Sequence, residues 1–305
     1  PDLDTSPLTD LLPDFEFFDA TSAEEVDDRI ADAEFVIANK VRLDDARLEQ
    51  ASKLRFIGVT ATGTDNIDTE SARRRGIAVC NIRGYCTNSV TEHVFGALLM
   101  LTHSLQRYAA DVRSSTWQKS QVYCLHDHPV RELSSMTMGI VGLGELGGSV
   151  ARTARHFGMN VLVAARIDDG AVPEGRVTFD ELLERADVIS LHCPLTPATD
   201  GLFGTDELRQ MKQSSFLINT ARGALVDSAA LVAALQSGEI AGAAIDVLPE
   251  EPPVEGDPLL NYEGDNLLVT PHIAWTTVQA RQTAVNEMAA NLTAFFEGEE
   301  RNRVV

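Results

Sequence analysis

Three side chains that could take part in catalysis occupy similar positions, because each lies in a loop that follows a predicted strand. They are Arg222, Glu251 and His272. A guanidinium can bind a carboxylate through two hydrogen bonds and polarise a neighbouring ketone. An imidazole can give or take a proton near neutral pH, and a carboxylate beside it holds its tautomer and favours its protonated form. Together the three suit hydride transfer to a 2-keto acid.

Each of the three also has a simpler interpretation when it is taken alone. Arg222 could be a charge on a surface loop, Glu251 a solvated acid and His272 a histidine near a helix cap. Their common placement favours chemistry, because loops that follow parallel strands meet at one edge of the sheet. Open α/β sheets bind their ligands at that edge.

A glycine pattern points to the cofactor that such a reaction needs. Gly142, Gly144 and Gly147 form a G-x-G-x-x-G between the apolar run 138–141 and a helical pattern. The first glycine allows a tight turn, the second lets the backbone approach a pyrophosphate, and the third brings the helix close to the strand. A purely structural turn is the alternative. A second apolar run at 161–165 completes a strand–helix–strand unit and favours dinucleotide binding.

Strand and helix patterns alternate along the chain, which predicts parallel sheets with helices on both faces. The predicted strands are 15–18, 35–38, 56–60, 77–80, 138–141, 161–165, 187–192, 216–219, 243–246 and 267–269. The longest predicted helix spans 89–112, and its His93 and His103 are expected to be packed or solvated histidines. Residues 1–13 resemble a loop, so a first strand is expected to be missing from this sequence.

Length and charge narrow the possible functions. A chain of 305 residues suggests two domains, and its 25 basic and 46 acidic residues leave a net charge of −21. Nucleic acid is therefore an unsuitable partner, and the charge fits solubility or, alternatively, a saline environment. No apolar run is long enough to span a membrane, and no secretory signal opens the sequence.

The cysteines and histidines do not predict a metal site. Cys124, His126 and His128 lie close together, but no second pair of ligands accompanies them. The four cysteines are scattered, which suits reduced thiols and a cytoplasmic location.

Seven motifs along the chain resemble those of the D-isomer-specific 2-hydroxyacid dehydrogenases. They read VTATGTDNID, YCTNSVTEHVFGALL, GIVGLGELGGSVA, HCPLTPATDGL, NTARGALVD, DVLPEEPP and VTPHIAW. The first motif, GYCTNSV and TPHIAW are most similar to the glycerate dehydrogenase, or hydroxypyruvate reductase, branch. The resemblance implies an α/β chain of two Rossmann-like or flavodoxin-like parallel-sheet domains with the active site in the cleft between them. A discontinuous substrate domain would comprise 1–89 plus 278–305, and a dinucleotide-binding domain 90–277.

The resemblance also implies roles for individual residues. Arg222 would anchor the substrate, His272 would be the acid/base and Glu251 its partner, in the reduction of hydroxypyruvate or glyoxylate to D-glycerate or glycolate. Further substrate contacts would come from Thr62, Gly63 and Trp275.

A larger set of positions matches residues that contact the nicotinamide cofactor in this family. They are Thr91, Gly142, Gly144, Glu145, Leu146, Gly147, Ala165, Arg166, Cys193, Pro194, Thr199, Thr220, Ala221, Asp246, His272 and Ala274. The helix at 89–112 matches the region through which family members form homodimers.

One position departs from the family pattern. NAD-preferring members carry an aspartate at the end of the second Rossmann strand, where this chain has Ala165 followed by Arg166. An acid there binds the ribose diol of NAD and repels the 2′-phosphate of NADP, whereas a guanidinium can bind that phosphate. The sequence therefore slightly favours NADP(H), although the charges of Asp168 and Asp169 oppose a phosphate unless they face solvent.

A second class of function stays open, a cofactor-sensing interaction protein of the corepressor type on the same fold. The intact Arg222, Glu251 and His272 favour an enzyme. Two other enzymes of this fold fit less well. Phosphoglycerate dehydrogenases usually carry an added regulatory domain, and formate dehydrogenases have glutamine where Glu251 stands.

Overall fold

The computed structural model describes residues 2–166 and 172–305. Asp168 and Asp169, whose charges bear on the choice of cofactor, lie outside the described residues. The chain forms two compact units, Pro1–Cys86 with Thr276–Val305, and Thr87–Trp275. Both contain parallel strands joined by helices, which confirms the predicted α/β class. None of the helices within the described ranges is long and apolar enough to cross a membrane.

The secondary structure follows the alternation of the sequence. The strands are β1 Phe35–Ala38, β2 Phe56–Val59, β3 Ala78–Cys80, β4 Thr137–Val141, β5 Asn160–Val163, β6 Val188–Leu191, β7 Phe216–Asn219, β8 Gly242–Ile245 and β9 Leu267–Val269. The α-helices are α1 Ser6–Thr9, α2 Val26–Ile30, α3 Asp45–Gln50, α4 Thr69–Arg74, α5 Thr87–Thr102, α6 Leu105–Arg113, α7 Glu145–His156, α8 Phe179–Arg185, α9 Thr205–Gln210, α10 Ser228–Ser237 and α11 Val278–Glu297.

The first unit is built on a three-stranded parallel sheet in the order β1-β2-β3. The central strand β2 is buried over its whole length. Helix α11 approaches it closely, since a Cβ at Gly58 would lie 2.3 Å from Sδ of Met288. The loop after β2, which carries Thr62 and Gly63, therefore leaves from a firmly packed strand.

The strand predicted at 15–18 is wrong, because these residues form no regular element. Their aromatic side chains are accommodated by local contacts instead. The rings of Phe15 and Phe17 lie 4.7 Å apart, and the guanidinium of Arg29 lies 4.0 Å from the centre of the Phe18 ring. Phe17 and Phe18 stay about half exposed, so the alternation of apolar residues here does not mark a buried strand face.

The second unit is built on a six-stranded parallel sheet in the order β5-β4-β6-β7-β8-β9. The chain runs from β4 outward to β5, then crosses back to β6 on the other side of β4. Such a reversal opens a crevice at the carboxyl ends of the two central strands, where doubly wound sheets bind ligands. The turn after β4 and the loops after β6, β7, β8 and β9 all lie at this edge.

The single long helix predicted at 89–112 is wrong, since the chain breaks between α5 and α6. Ser104 adopts a left-handed conformation with φ 49° and ψ 36°. Its hydroxyl donates to the carbonyl of Pro129 at 2.7 Å, and the amide of Arg131 donates to the carbonyl of Thr102 at 2.9 Å. The incoming 129–131 segment thus occupies the carbonyl of Thr102, which would otherwise accept from a later amide of a continuous helix.

Candidate active site

The glycine turn after β4 is a place of close backbone contact. Gly142 has φ 94°, and a Cβ there would lie 2.6 Å from the backbone nitrogen of Cys193. A Cβ at Gly147 would lie 2.0 Å from the carbonyl oxygen of Gly142. At Gly144, by contrast, a Cβ would meet no atom of residues 2–166 or 172–305 within 4 Å. The turn is therefore tightly packed at Gly142 and Gly147 and open at Gly144, as a phosphate-binding loop must be.

Helix α7 begins at this turn with Gly144 as its N-cap, and no side chain in the part of the chain that the structure describes caps it. The amides of its first turn, from Glu145 to Gly147, have no acceptor within the helix and can bind an anion. The carboxylate of Glu145 accepts a hydrogen bond from the Thr87 hydroxyl at 2.5 Å. Thr91 lies deeper, where its hydroxyl contacts that of Ser149 at 3.0 Å and joins α5 to α7.

The loops after β6 and β7 continue the same edge. Thr199 is buried, and its hydroxyl donates to the carbonyl of Pro194 at 2.8 Å. The hydroxyl of Thr220 is buried without a hydrogen-bond partner among the residues that the structure describes. A buried hydroxyl normally has a partner. At the same sheet edge as the open glycine turn, this orphaned group fits a site that a nicotinamide dinucleotide would complete.

Two groups beside the turn are kept uncharged by their surroundings. Burial lowers the pKa of His192 to about 4 and raises the pKa of the Cys193 thiol. The His192 ring contacts the Ser190 hydroxyl at 2.9 Å. Near neutral pH the imidazole of His192 and the thiol of Cys193 are therefore both neutral.

The end of β5 carries the position that reads the adenosine ribose in dinucleotide folds. Ala165 is buried, and its amide donates to the carbonyl of Val177 at 2.8 Å. Arg166 follows it and is exposed. The guanidinium of Arg176 donates to the carbonyl of Ala164 at 3.1 Å. The sequence interpretation missed Arg176, because it lies ten positions beyond Arg166 and reaches this strand end only through the pairing of residues 164 and 177.

The structure brings Glu251 and His272 together. Nδ1 of His272 lies 2.6 Å from Oε2 of Glu251, and the other carboxylate oxygen accepts from the amide of Leu248 at 3.1 Å. Both side chains are a little over a quarter exposed, at 27% and 29%. The carboxylate is thus held from two sides, and Nε2 is the ring nitrogen that Glu251 does not engage.

The backbone at His272 is unusual, with φ 55° at a residue that is not glycine. Asp246, at the end of β8, is buried and holds the loop on both sides of this bend. Its carbonyl accepts from the His272 amide at 2.8 Å. Its carboxylate accepts from the amides of Ile273 and Ala274, each at 2.9 Å. Left-handed conformations of this kind persist where the surroundings determine them.

Arg222 lies in the loop after β7, and two residues that the sequence interpretation missed shape this loop. The buried side chain of Asn219 accepts from the amide of Ala221 at 3.0 Å and donates to the carbonyl of Arg222 at 2.8 Å. A Cβ at Gly223 would lie 1.9 Å from the backbone carbon of Leu248. Glycine therefore lets the Arg222 loop approach the Glu251 loop. An asparagine just before a small-residue turn was the available signal for this loop.

The Arg222 side chain is exposed, and its guanidinium donates to the carbonyl of Ala221 at 2.8 Å. Trp275 ends the second unit, directly after the buried Ala274. The predicted carboxylate-binding residues Thr62 and Gly63 belong to the first unit, where the Thr62 hydroxyl donates to the carbonyl of Ile82 at 3.1 Å. The predicted substrate residues are thus divided between the two units.

Known proteins show the same pattern over nearly the whole chain. The sequence model described as D-isomer specific 2-hydroxyacid dehydrogenase, NAD binding domain, matches residues 95–274. A glycerate dehydrogenase of Methylorubrum extorquens is 42% identical over 95% of this chain and 91% of that protein. A hydroxypyruvate reductase of Blautia hydrogenotrophica is 36% identical over 93% of this chain and 88% of that protein.

A solved structure agrees with these relatives. The D-lactate dehydrogenase of Aquifex aeolicus, complexed with NAD and lactic acid, matches with a TM-score of 0.80 and 30% sequence identity, over 95% of this chain and 92% of that one. Sequence identity at this level over whole chains reflects common descent and not a shared turn alone. The chain therefore belongs to the D-isomer-specific 2-hydroxyacid dehydrogenases, oxidoreductases that act on the CH–OH group of 2-hydroxy acids.

Proposed function

We propose that this chain reduces hydroxypyruvate or glyoxylate to D-glycerate or glycolate with a nicotinamide cofactor. The observation that carries the proposal is the 2.6 Å contact between His272 Nδ1 and Glu251 Oε2, at the sheet edge that also holds the glycine turn. Relatives named glycerate dehydrogenase and hydroxypyruvate reductase, 42% and 36% identical, support this substrate class.

In the proposed reaction each chemical requirement falls to a different side chain. A reduced nicotinamide cofactor, when bound, would supply the hydride for the carbonyl carbon. Arg222 binds the substrate carboxylate and polarises the ketone. His272 donates a proton from Nε2 to the oxygen, so that ketone, hydride and proton together give the alcohol. Glu251 accepts from Nδ1, fixes the ring and stabilises its charged form.

The residues that would hold the cofactor line the edge of the second sheet. The amides at Glu145 and Leu146 would bind the pyrophosphate. The buried Thr220 hydroxyl would gain the partner that it lacks among the described residues. The other proposed contacts come from the loops after β6, β8 and β9, at Cys193, Pro194, Thr199, Asp246 and Ala274.

We infer a preference for NADPH over NADH from the end of β5. Ala165 offers no negative charge to repel a 2′-phosphate. Arg166 and Arg176 supply two guanidinium groups at or next to this position, and Arg176 is already anchored on the carbonyl of Ala164.

The division of the chain supports assigning the first unit to substrate binding and the second to the cofactor, with the boundaries near residues 89 and 278. We also propose a homodimer through the 89–112 region. Leu105 and Val112, both about half exposed on α6, offer apolar surface for such contact. Light scattering would then report twice the 33.1 kDa mass of one chain.

The test is a panel of 2-keto acids assayed with NADPH and NADH. We expect hydroxypyruvate and glyoxylate to exceed pyruvate, phenylpyruvate and 2-ketoisocaproate in kcat/KM, because the loops at 62–64 and 86–88 carry small or polar residues. The product should be D-glycerate, as family membership implies. A preference for phenylpyruvate would overturn the substrate assignment. Cofactor binding without turnover of any 2-keto acid would overturn the enzyme and favour the sensor.

A further inference from the structure

A series of hydrogen-bonded side chains lies behind the His272 loop. The proposed reaction does not use these side chains directly. The Thr270 hydroxyl lies 2.6 Å from Oδ1 of Asp246 and 3.2 Å from Nε2 of His93. His93 lies on α5, Asp246 follows β8 and Thr270 follows β9. Three separate elements of the second unit therefore converge directly behind the proposed acid/base.

The direction of these hydrogen bonds follows from the number of protons. A hydroxyl has one proton to donate, and Thr270 gives it to the carboxylate of Asp246. The contact between Thr270 and His93 must then run the other way, with Nε2–H of His93 donating to the hydroxyl oxygen. The order is His93 to Thr270 to Asp246.

The last member of this hydrogen-bonded series is the Asp246 carboxylate, which holds the loop. The same Oδ1 of Asp246 accepts from the amide of Ile273, and Oδ2 accepts from the amide of Ala274. Three donors to the Asp246 carboxylate are described here, the Thr270 hydroxyl and the amides of Ile273 and Ala274. Thr270 is the only one of the three that donates from a side chain. Without it the carboxylate could rotate, and the amides directly after His272 would lose their fixed acceptor.

A second tether from the same helix acts on the same loop. The hydroxyl of Ser89 donates to the carbonyl of Ala274 at 2.6 Å. Ser89 and His93 are four residues apart, so both project from one face of α5. The helix holds the loop at its beginning through Thr270 and at its end through Ala274.

We propose that Thr270 and His93 are positioning residues that keep His272 in its left-handed conformation through Asp246. The inference rests on the proposed role of His272. The left-handed φ of 55° at His272 needs support from its surroundings, and the described contacts supply it. Proton transfer is sensitive to displacements well below 1 Å, so a loosened loop should slow turnover and not weaken binding.

The substitutions that test this remove one hydroxyl or one donor. Thr270→Val has nearly the same shape without the hydroxyl, Thr270→Ser restores it, and His93→Phe removes the donor. We expect the Val and Phe variants to lower kcat about tenfold, with KM for hydroxypyruvate changed less than about twofold. Thr270→Ser should recover most of the loss. Thr102→Val, which removes a buried hydroxyl bonded to the Leu98 carbonyl on the same helix, is the matched control.

A separate experiment tests whether Thr270→Val lowers kcat through His272. In a His272→Ala background Thr270→Val should cause no further loss of kcat, because the group that it positions is absent. An equal tenfold loss in that background would show a general structural effect and overturn the proposal. So would a wild-type kcat in Thr270→Val.

A readout independent of activity keeps the inference separate from the proposed function. Amide hydrogen exchange at residues 273 and 274 should become at least about tenfold faster in Thr270→Val and stay near wild type in Thr270→Ser. The amides of β8 should not change in either variant. If no 2-keto acid is turned over but this exchange pattern appears, the proposed function fails while the positioning stands. Unchanged exchange in Thr270→Val would overturn the positioning itself.

Discussion

Two parts of the second unit face the proposed cofactor, and they are held in different ways. In the loop at 270–275, other side chains hold Thr270, His272, Ile273 and Ala274. Asp246 binds three consecutive amides, and Ser89 binds the carbonyl of Ala274. At the end of β5 the described contacts are mainly those of backbone pairing. The Ala165 amide pairs with Val177, and the carbonyl of Ala164 accepts from Arg176.

The difference follows from what each part must do. Proton transfer requires reacting atoms within a narrow range of distance and angle, so the loop around His272 needs a determined backbone. The choice between NADPH and NADH depends on charge and size at one position, which side chains alone can supply. Substitutions in the loop should therefore lower turnover, whereas those at the end of β5 should change cofactor preference and leave turnover nearly intact.

The largest effect is expected at His272. His272→Ala should lower kcat by about 100- to 10,000-fold, the usual contribution of a positioned acid/base. The dissociation constant of NADPH, measured by fluorescence titration, should change little because the glycine turn is untouched. His156→Ala, which removes an exposed histidine at the end of α7, is the control and should keep full activity. Near-normal turnover in His272→Ala would exclude it as the proton donor.

His192, between the two parts, should make stability depend on pH. Its pKa is about 4 in the folded chain against about 6.5 when unfolded. Above pH 6.5 the residue is neutral in both states. As the pH falls from 6.5 to 4, only the unfolded chain gains the proton, so the free energy of unfolding should fall by at most about 3 kcal/mol. Denaturant titrations should show a shallower fall for His192→Gln. Parallel curves would contradict the buried neutral histidine.

Ala165→Asp is expected to alter cofactor choice without altering the chemistry. The new carboxylate would repel a 2′-phosphate and accept from the ribose diol, so the ratio of kcat/KM for NADPH to that for NADH should fall about tenfold or more. The kcat with saturating cofactor should stay within about twofold. A wild-type enzyme that strongly favours NADH would refute the inferred preference. An unchanged ratio in the variant would show that position 165 does not face the ribose.

The smallest effect is expected at Arg176. Arg176→Gln can keep a hydrogen bond to the carbonyl of Ala164 but loses the positive charge. We expect KM for NADPH to rise about threefold, with KM for NADH unchanged. Arg155→Gln, which removes a charge from α7 where Arg155 bonds the carbonyl of Ala151, serves as the control. Equal effects on both cofactors would mean that Arg176 stabilises the strand end and does not contact a phosphate.

Much of this fold could be predicted because local signals determine it. The strands β1 to β9 of the described residues correspond to apolar runs that the sequence shows, and the alternation with helices predicts their parallel arrangement. The failures arise where distant residues decide. Ser104 breaks the long helix because residues 129–131 bind there, and 15–18 lacks the pairing that its pattern suggests.

The candidate site divides in the same way. Glu251 and His272 could be predicted as partners, because both follow parallel strands and their chemistry is complementary. Gly223, Thr270 and His93 could not. Their importance lies in contacts between loops far apart in sequence, such as the approach of Gly223 to Leu248. Spacing in the sequence does not carry that information.

The central claim is that His272 gives the proton and that Glu251 stabilises its charged form. The most direct test is kcat for hydroxypyruvate reduction near neutral pH in the wild type and in Glu251→Gln. Glutamine can still accept from Nδ1 but carries no charge, so kcat should fall about tenfold or more, while the dissociation constant of NADPH should change little. An unchanged kcat in Glu251→Gln would contradict the claim.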